Sequence, residues 1–427
     1  MNRRQMLRGC LTAAMPIASA AQSGSRSNEA IEHARQAALD VLKPSKRDLQ
    51  HGLELHANSI VIDAYGFSPR AAVDGDEMRT AVEAGSSDIE LQDLQEEMNM
   101  TRYVTNAAEQ VEYQNAWKAS GVTCIVQNAG EEGQDPLRLI KRLARFTYVT
   151  DMLRDVVEKA SVPADIAAAK TRGKHCLYFS GNGVPLTQQW ASVEDELRYI
   201  RIFFQLGIRI MHLTYNRRNM IGDGCAEPAN AGLSDFGRAV IAEMNRVGVI
   251  ADCAHSGWQT SLEAAKASRK PAVASHSGCV AVNRHIRCKP DDVIRALADS
   301  GGYIGICCIP GFLGGAGDIS VMLDHIDHVK RQFGADYVAI GTDIAYMSSA
   351  NATESRKIPA RRRRTPFQAL WPPGSLGGGD RTGTLQWTNW PLFTVGMVQR
   401  GYSDVEIQKI LSGNVLRVAR AVLPQRA

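Results

Sequence analysis

The chain of 427 residues carries 44% hydrophobic and 22% charged residues, the profile of an ordinary globular protein rather than a disordered one. Its formal charge of +4 is small for this length and spread along the chain. Composition therefore offers no electrostatic footprint for nucleic acid, and no run of about 18 apolar residues is available to span a membrane. Small molecules or peptides are the expected partners.

Met1-Asn2-Arg3-Arg4-Gln5-Met6-Leu7 followed by the weakly apolar run Gly9 to Ala20 has the order of an export signal. The Arg3-Arg4 pair points to the twin-arginine route, and Ala18-Ser19-Ala20 supplies the small side chains a signal peptidase needs. The reading is a signal peptide over 1–21, a linker and N-terminal helix over 22–50, and one barrel domain over 51–427, periplasmic or secreted. An oxidising compartment permits a disulfide among Cys225, Cys279 and Cys288. Cys124, Cys176, Cys253, Cys307 and Cys308 sit in apolar runs, where cysteine acts as a small core residue.

Eight short runs rich in β-branched residues follow, at 59–63, 122–128, 175–179, 208–213, 249–253, 271–275, 303–307 and 337–341, each separated by enough chain for a crossover helix. Helices are expected at 193–206, 234–247, 259–268, 291–300 and 321–333, with Ser234 and Ser320 as caps and Gly207, Gly248 and Gly334 as stops. Eight parallel strands alternating with helices close most economically into a (β/α)₈ TIM barrel, with its chemistry at the C-terminal strand ends. An open doubly wound sheet is the alternative. The segment 345–389, with Arg361 to Arg364 and two glycine and proline clusters, breaks the rhythm and reads as a long loop over the barrel mouth.

Polar residues stand just after the apolar runs: Asp63, Ser180, Tyr215, Asp252 and His255, His276, and Asp343. A barrel brings all of them to one rim. Two imidazoles and a carboxylate converging there suit a divalent metal such as zinc, which acidifies a bound water or polarises a carbonyl. His255 and His276 could equally be buried hydrogen-bonded histidines, Asp343 a turn cap, Arg287 the partner of a helix C-terminus, and Tyr215 a packing residue. His325 and His328, flanked by Asp324 and Asp327, read as a solvated helix face.

Leu213-Thr214-Tyr215-Asn216, Gly232-Leu233-Ser234-Asp235-Phe236-Gly237, Asp252-Cys253-Ala254-His255, Ser275-His276-Ser277 and Ile340-Gly341-Thr342-Asp343 resemble, in order and spacing, successive signatures of the membrane dipeptidase (renal dipeptidase) family. The resemblance implies an amidohydrolase-like barrel with a binuclear zinc centre that cleaves dipeptides. It further implies His255 and His276 as ligands of one zinc, Asp343 at the other near the attacking water, and Arg287 on the substrate's charged end. Tyr215 stands where the family has a histidine, and is read as a substrate contact. The family's first-strand His-x-Asp pair becomes Tyr65 and Phe67, and its bridging glutamate becomes Ser180. Two metals then lack a shared carboxylate, which leaves at most one ion, zinc or another divalent metal, or none, with Asp63, Asp252 or Glu131-Glu132 as replacement ligands. Two functions follow: a metallohydrolase cutting a dipeptide or modified peptide, with a homodimer possible, or a non-hydrolytic relative that binds or matures a secreted peptide natural product, of the kind found in pyoverdine maturation.

Overall fold

The computed structural model describes residues 17–131, 136–361, 370–372 and 383–424. Ten strands occur among them: β1 Ile62–Gly66, β2 Cys124–Glu131, β3 Val157–Ala160, β4 His175–Asn182, β5 Ile210–His212, β6 Ile250–Asp252, β7 Ala274–Cys279, β8 Cys288–Lys289, β9 Ile304–Ile306 and β10 Val338–Ile340. All pairings between them are parallel. β1, β2, β4, β5 and β6 follow one another in one sheet, and β7, β9 and β10 in a second. The bridge between Asp252 and Val273 joins the two sheets on one side. On the other, the Asp343 amide donates to Tyr65 O at 2.9 Å and closes the ring.

These eight strands are the eight expected from sequence, on an amidohydrolase-type TIM barrel. β3 and β8 are additional. β3, with only four residues and two charges among them, pairs along the start of β4. β8 is a two-residue extension beside the end of β7. The first strand begins later than expected because the helix Lys46–Asn58 runs up to Ser59, whose hydroxyl donates back to Leu55 O at 2.7 Å.

Side chains alternate between two cores, as strand geometry demands. Ile62, Ala64, Val126, Tyr178, Ile210, Ile250 and Tyr303 fill the barrel interior. Ile125, Leu177, Phe179, Met211 and Ile306 face the surrounding helices, with Trp117, Phe203 and Met244. The interior core also takes in Val415, Leu416, Val418, Ala419 and Val422 from the helix Asn414–Val422, which plugs the floor of the barrel. Asn414 ties that plug in place, its amide donating to the carbonyls of Ala335 and Val338 at 2.7 and 2.8 Å. Near the mouth the strands draw together around one carbonyl: a Cβ on Gly305 would lie 1.9 Å from Ser275 O, and one on Gly341 2.1 Å. Any side chain at either position would force the barrel open.

The expected helix signals are largely those used. Ser234 caps Asp235–Val247, its hydroxyl accepting from Gly237 N at 2.9 Å, and Gly207 and Gly248 end their helices with positive φ. Ser320 is a correction. The cap of Ile319–Phe333 is Asp318, whose carboxylate accepts from the amides of Ser320 and Val321. His325 and His328 are corrected too, since both are buried. His325 accepts from Cys279 N at 2.9 Å through Nδ1 and so must donate from Nε2 to Leu313 O at 3.0 Å, which makes it a brace between β7 and the helix.

The expected loop over 345–389 contains the helix Asn351–Arg356 and a short turn at Trp387–Asn389, while 362–369 and 373–382, including Arg362 to Arg364, lie outside the described residues. Arg361 is ion-paired with Asp88. The eight described cysteines are all buried free thiols, Cys225, Cys279 and Cys288 among them.

Outside the barrel, His56 joins the N-terminal helices to the body. Its Nε2 lies 2.9 Å from Ser120 O and so donates, leaving Nδ1 to accept from the Thr394 hydroxyl at 2.8 Å. Burial lowers its pKa to about 4. The unfolded chain then binds a proton that the native state refuses, so this contribution is complete above about pH 6.5 and is lost as pH falls towards 4. The expected loss is about 3 kcal/mol. Comparing denaturant unfolding of the wild type and His56→Gln from pH 4 to 7 checks it: the difference between the two should shrink by that amount on the acid side.

Candidate active site

The rim at the C-terminal strand ends is lined by five rings. Tyr65, at the end of β1, stacks on His276 with centroids 3.8 Å apart and planes 12° apart, and Tyr215 stacks on His255 at 4.2 Å. His212 stands among them, 5.1 Å from Tyr65, 5.2 Å from His276 and 5.5 Å from His255. Three histidines thus meet where sequence reading expected two.

His255 and His276 face each other through their Nε2 atoms at 2.9 Å. The other nitrogen of each ring is held from behind: Nδ1 of His255 lies 2.8 Å from Asn216 Oδ1, and Nδ1 of His276 lies 2.9 Å from the Ser275 hydroxyl. That second contact is what fixes the tautomer and direction of a metal-binding imidazole. Burial first, and the Arg287 charge next, hold both rings well below the usual histidine range, so both are neutral and keep a lone pair at neutral pH.

Arg287 is fully buried, which is costly for a guanidinium. Its Nη2 donates to His276 O at 3.1 Å and its plane lies over Phe312 at 5.1 Å, but Nε and Nη1 have no hydrogen-bond partner. Trp371, from the segment after β10, reaches the same Phe312 at 5.9 Å between centroids. The Arg287 cation thus has two donors available to an anion.

Asp343 sits at a positive φ of 59° directly beyond β10. Burial of its carboxyl raises its pKa to about 6, and the neighbouring positive charges of Arg287, His212 and Arg70 pull it only partly back. The structure therefore gathers all five sequence-expected residues, Tyr215, His255, His276, Arg287 and Asp343, at one rim.

The replacement ligands fare differently. Asp63 points into the barrel wall, where Oδ1 accepts from Thr342 N at 2.9 Å and Oδ2 from the Thr342 hydroxyl at 2.6 Å and Trp387 Nε1 at 3.1 Å. Its oxygens are spent on closing the barrel. Glu132 lies outside the described residues. Asp252 does face the rings. Its Oδ1 accepts from Ala254 N and Ser275 N, and its Oδ2 approaches His212 Nε2 at 2.8 Å.

A binuclear centre does not fit these residues. Tyr65 is engaged in ring stacking, and Phe67 lies edge-on to Tyr65 with the Arg70 guanidinium over its face at 4.6 Å. Ser180, buried on β4, offers a hydroxyl without a hydrogen-bond partner and no charge with which to bridge two cations. The neutral His255 and His276 pair, each ring braced from behind, suits one ion.

His212 was missed because its run was read as a continuous apolar strand. Its signal was parity. Ile210 faces the interior, so the residue two further on does as well, in register with Asp252 on the next strand.

The family model for the membrane dipeptidases (peptidase family M19) matches residues 49–355. Dipeptidase 3 of Rattus norvegicus is 26% identical over 265 residues, 58% of this chain and 48% of that protein. Dipeptidase tcpJ of Claviceps purpurea is 27% identical over 279 residues, 64% of this chain and 57% of that protein. The chain spans about half the length of the curated relatives it matches. The crystal structure of an amidohydrolase from Pseudomonas aeruginosa superposes with a TM-score of 0.64 at 26% identity, covering 88% of this chain and 99% of that one. With the family model covering well over half of its length, the chain belongs to the membrane dipeptidase family.

Proposed function

We propose that this protein is a dipeptidase-like metallohydrolase that works with one divalent ion, zinc in the first instance, and cleaves a dipeptide or modified peptide. The observation that carries the reading is the pair of neutral, braced imidazoles of His255 and His276 beside the idle donors of Arg287. A bound ion would supply Lewis acidity, polarising the scissile carbonyl and acidifying a water. His255 and His276 would hold it.

The chain's own groups divide the remaining work. Arg287 receives the peptide's terminal carboxylate with Nε and Nη1, which fixes the scissile bond against the rim. Asp343, ionised above about pH 6, takes a proton from the attacking water and returns it to the departing amine. Tyr215, held against His255, lines the wall along which the substrate lies. Family relatives named as dipeptidases support the substrate class. The Arg3-Arg4 leader supports export, and recovery of the protein from the periplasmic fraction tests it.

The decisive experiment reconstitutes the purified full chain with zinc, manganese or iron and follows a panel of L-L and L-D dipeptides. Turnover is expected, with kcat/KM falling about tenfold per pH unit below pH 6 as Asp343 gains its proton. Asp343→Asn should remove that acid limb together with nearly all activity. No turnover and no bound metal would sink the reading.

One observation favours a second reading, in which the protein binds or matures a peptide natural product without hydrolysing it: three positions that hold ligands in the family carry Tyr65, Phe67 and Ser180. That reading expects tight peptide binding, no cleavage, and the same affinity after His255→Ala, measured by calorimetry.

A further inference from the structure

His212, Asp252 and His276 each present one potential ligand atom, and the three atoms lie within 4.8 Å of one another. All three residues are fully buried. A buried imidazole against a buried carboxylate is ordinarily a hydrogen bond. Here, although His212 Nε2 and Asp252 Oδ2 approach to 2.8 Å, neither atom has the alignment of one, and His212 Nδ1 has no partner either. Both rows of donors that could have satisfied Asp252 are spent on its other oxygen, which accepts from the amides of Ala254 and Ser275. What is left is a carboxylate oxygen and two imidazole nitrogens gathered within 4.8 Å of one another. Fully buried polar atoms are rarely left so.

We propose that His212, Asp252 and His276 form a single-ion metal seat set against the barrel interior, displaced from the positions that Tyr65, Phe67 and Ser180 have vacated. The donor set, two imidazole nitrogens and one carboxylate, matches zinc in hydrolytic sites, and tetrahedral zinc with bonds of about 2.0 to 2.1 Å wants its ligand atoms about 3.3 Å apart. The three atoms fall within 4.8 Å of one another, and His212 Nε2 and Asp252 Oδ2 are 2.8 Å apart. His212 and Asp252 are paired residues on adjacent parallel strands, so the backbone already fixes their Cβ atoms side by side. His276 belongs to both groupings. Its Nε2 also lies 2.9 Å from His255 Nε2. The inference rests on the one-ion reading given above and exchanges His255 for His212 and Asp252 among the residues that hold the ion.

The test loads metal-free full-length protein with zinc alone and measures stoichiometry by elemental analysis and affinity by competition with a chromophoric chelator. One equivalent is expected for the wild type, with a raised melting temperature. His212→Gln and Asp252→Asn should each weaken binding at least 100-fold, while Asp343→Asn binds like the wild type. His212→Gln is the milder change, so if Asp252→Asn fails to fold the inference still stands or falls on it. If His212→Gln keeps wild-type zinc affinity while His255→Gln loses the ion, the ion rests on His255 and His276: this inference fails and the hydrolase reading survives. If the wild type binds no zinc, both fail.

Discussion

Replacing Arg287 with methionine is expected to lower kcat/KM for a dipeptide by about 1,000-fold, roughly 4 kcal/mol of transition-state stabilisation, while leaving the protein as stable as before or more so. The two halves come from one geometry. Nε and Nη1 of Arg287 are buried without partners, so in the free protein the guanidinium bears a desolvation cost that only a bound anion repays. Methionine keeps the contact with Phe312 and removes that cost. The loss on the other side is one hydrogen bond to His276 O, worth about 1 kcal/mol. Exchanging an uncompensated buried charge for an apolar side chain of similar length is neutral to stabilising by about 1 to 4 kcal/mol. Steady-state kinetics and thermal melting read the two effects separately. A variant that is clearly less stable yet fully active would show that Arg287 serves the fold and not the substrate.

Asp63→Ala, in contrast, is expected to cost the fold about 4 kcal/mol. Four donors reach this carboxylate: the amide and hydroxyl of Thr342, the indole of Trp387 and, at 3.4 Å, the amide of Tyr65. Alanine leaves the Thr342 amide and the Trp387 Nε1 buried and unpaired, at about 1 to 3 kcal/mol each. Chemical denaturation of the variant measures the loss, and a change under 1 kcal/mol would mean that water or a shift of Trp387 satisfies those donors. Burial raises the Asp63 pKa to about 7, so its contribution runs opposite to that of His56: stability is highest where the carboxyl is protonated, and declines as pH rises from about 4 through 7. The two slopes offset, and Asp63→Asn should expose the acid sensitivity of His56 alone.

The barrel was legible in the sequence because each strand is an apolar run with its own punctuation, and Ser234, Gly207 and Gly248 mark boundaries through purely local physics. The rim was legible for the same reason: a polar residue after an apolar run has only one end of a parallel barrel to occupy. What escaped depends on distant neighbours. His325 sits among aspartates on its own helix and looks solvated until β7 and Leu313, distant in sequence, supply its two partners. His212 required knowing which parity of β5 faces inward. Asp63 looked like a rim residue, and only the closure of the ring turns its carboxylate into the wall. Ser320 and Asp318 compete for one cap at two residues' separation, where local preference cannot choose.

The bonds that close the ring also set an order of events. Asp63 meets Thr342 across 279 residues of sequence and Trp387 across 324, and the helix that plugs the barrel floor begins only at Asn414. Until those last segments leave the ribosome, β1 has an open edge on the side that β10 will cover, and the interior side chains of the first strands lack a floor. Nearly the whole chain must therefore be synthesised before the native state can lock, and loop closure over such distances makes that step slow. A chain stopped before β10 presents a bare parallel edge, the form in which a sheet recruits a second copy of itself. The polar lock between Asp63, Thr342 and Trp387 thus forms only in a molecule that already contains β10 and the segment through Trp387.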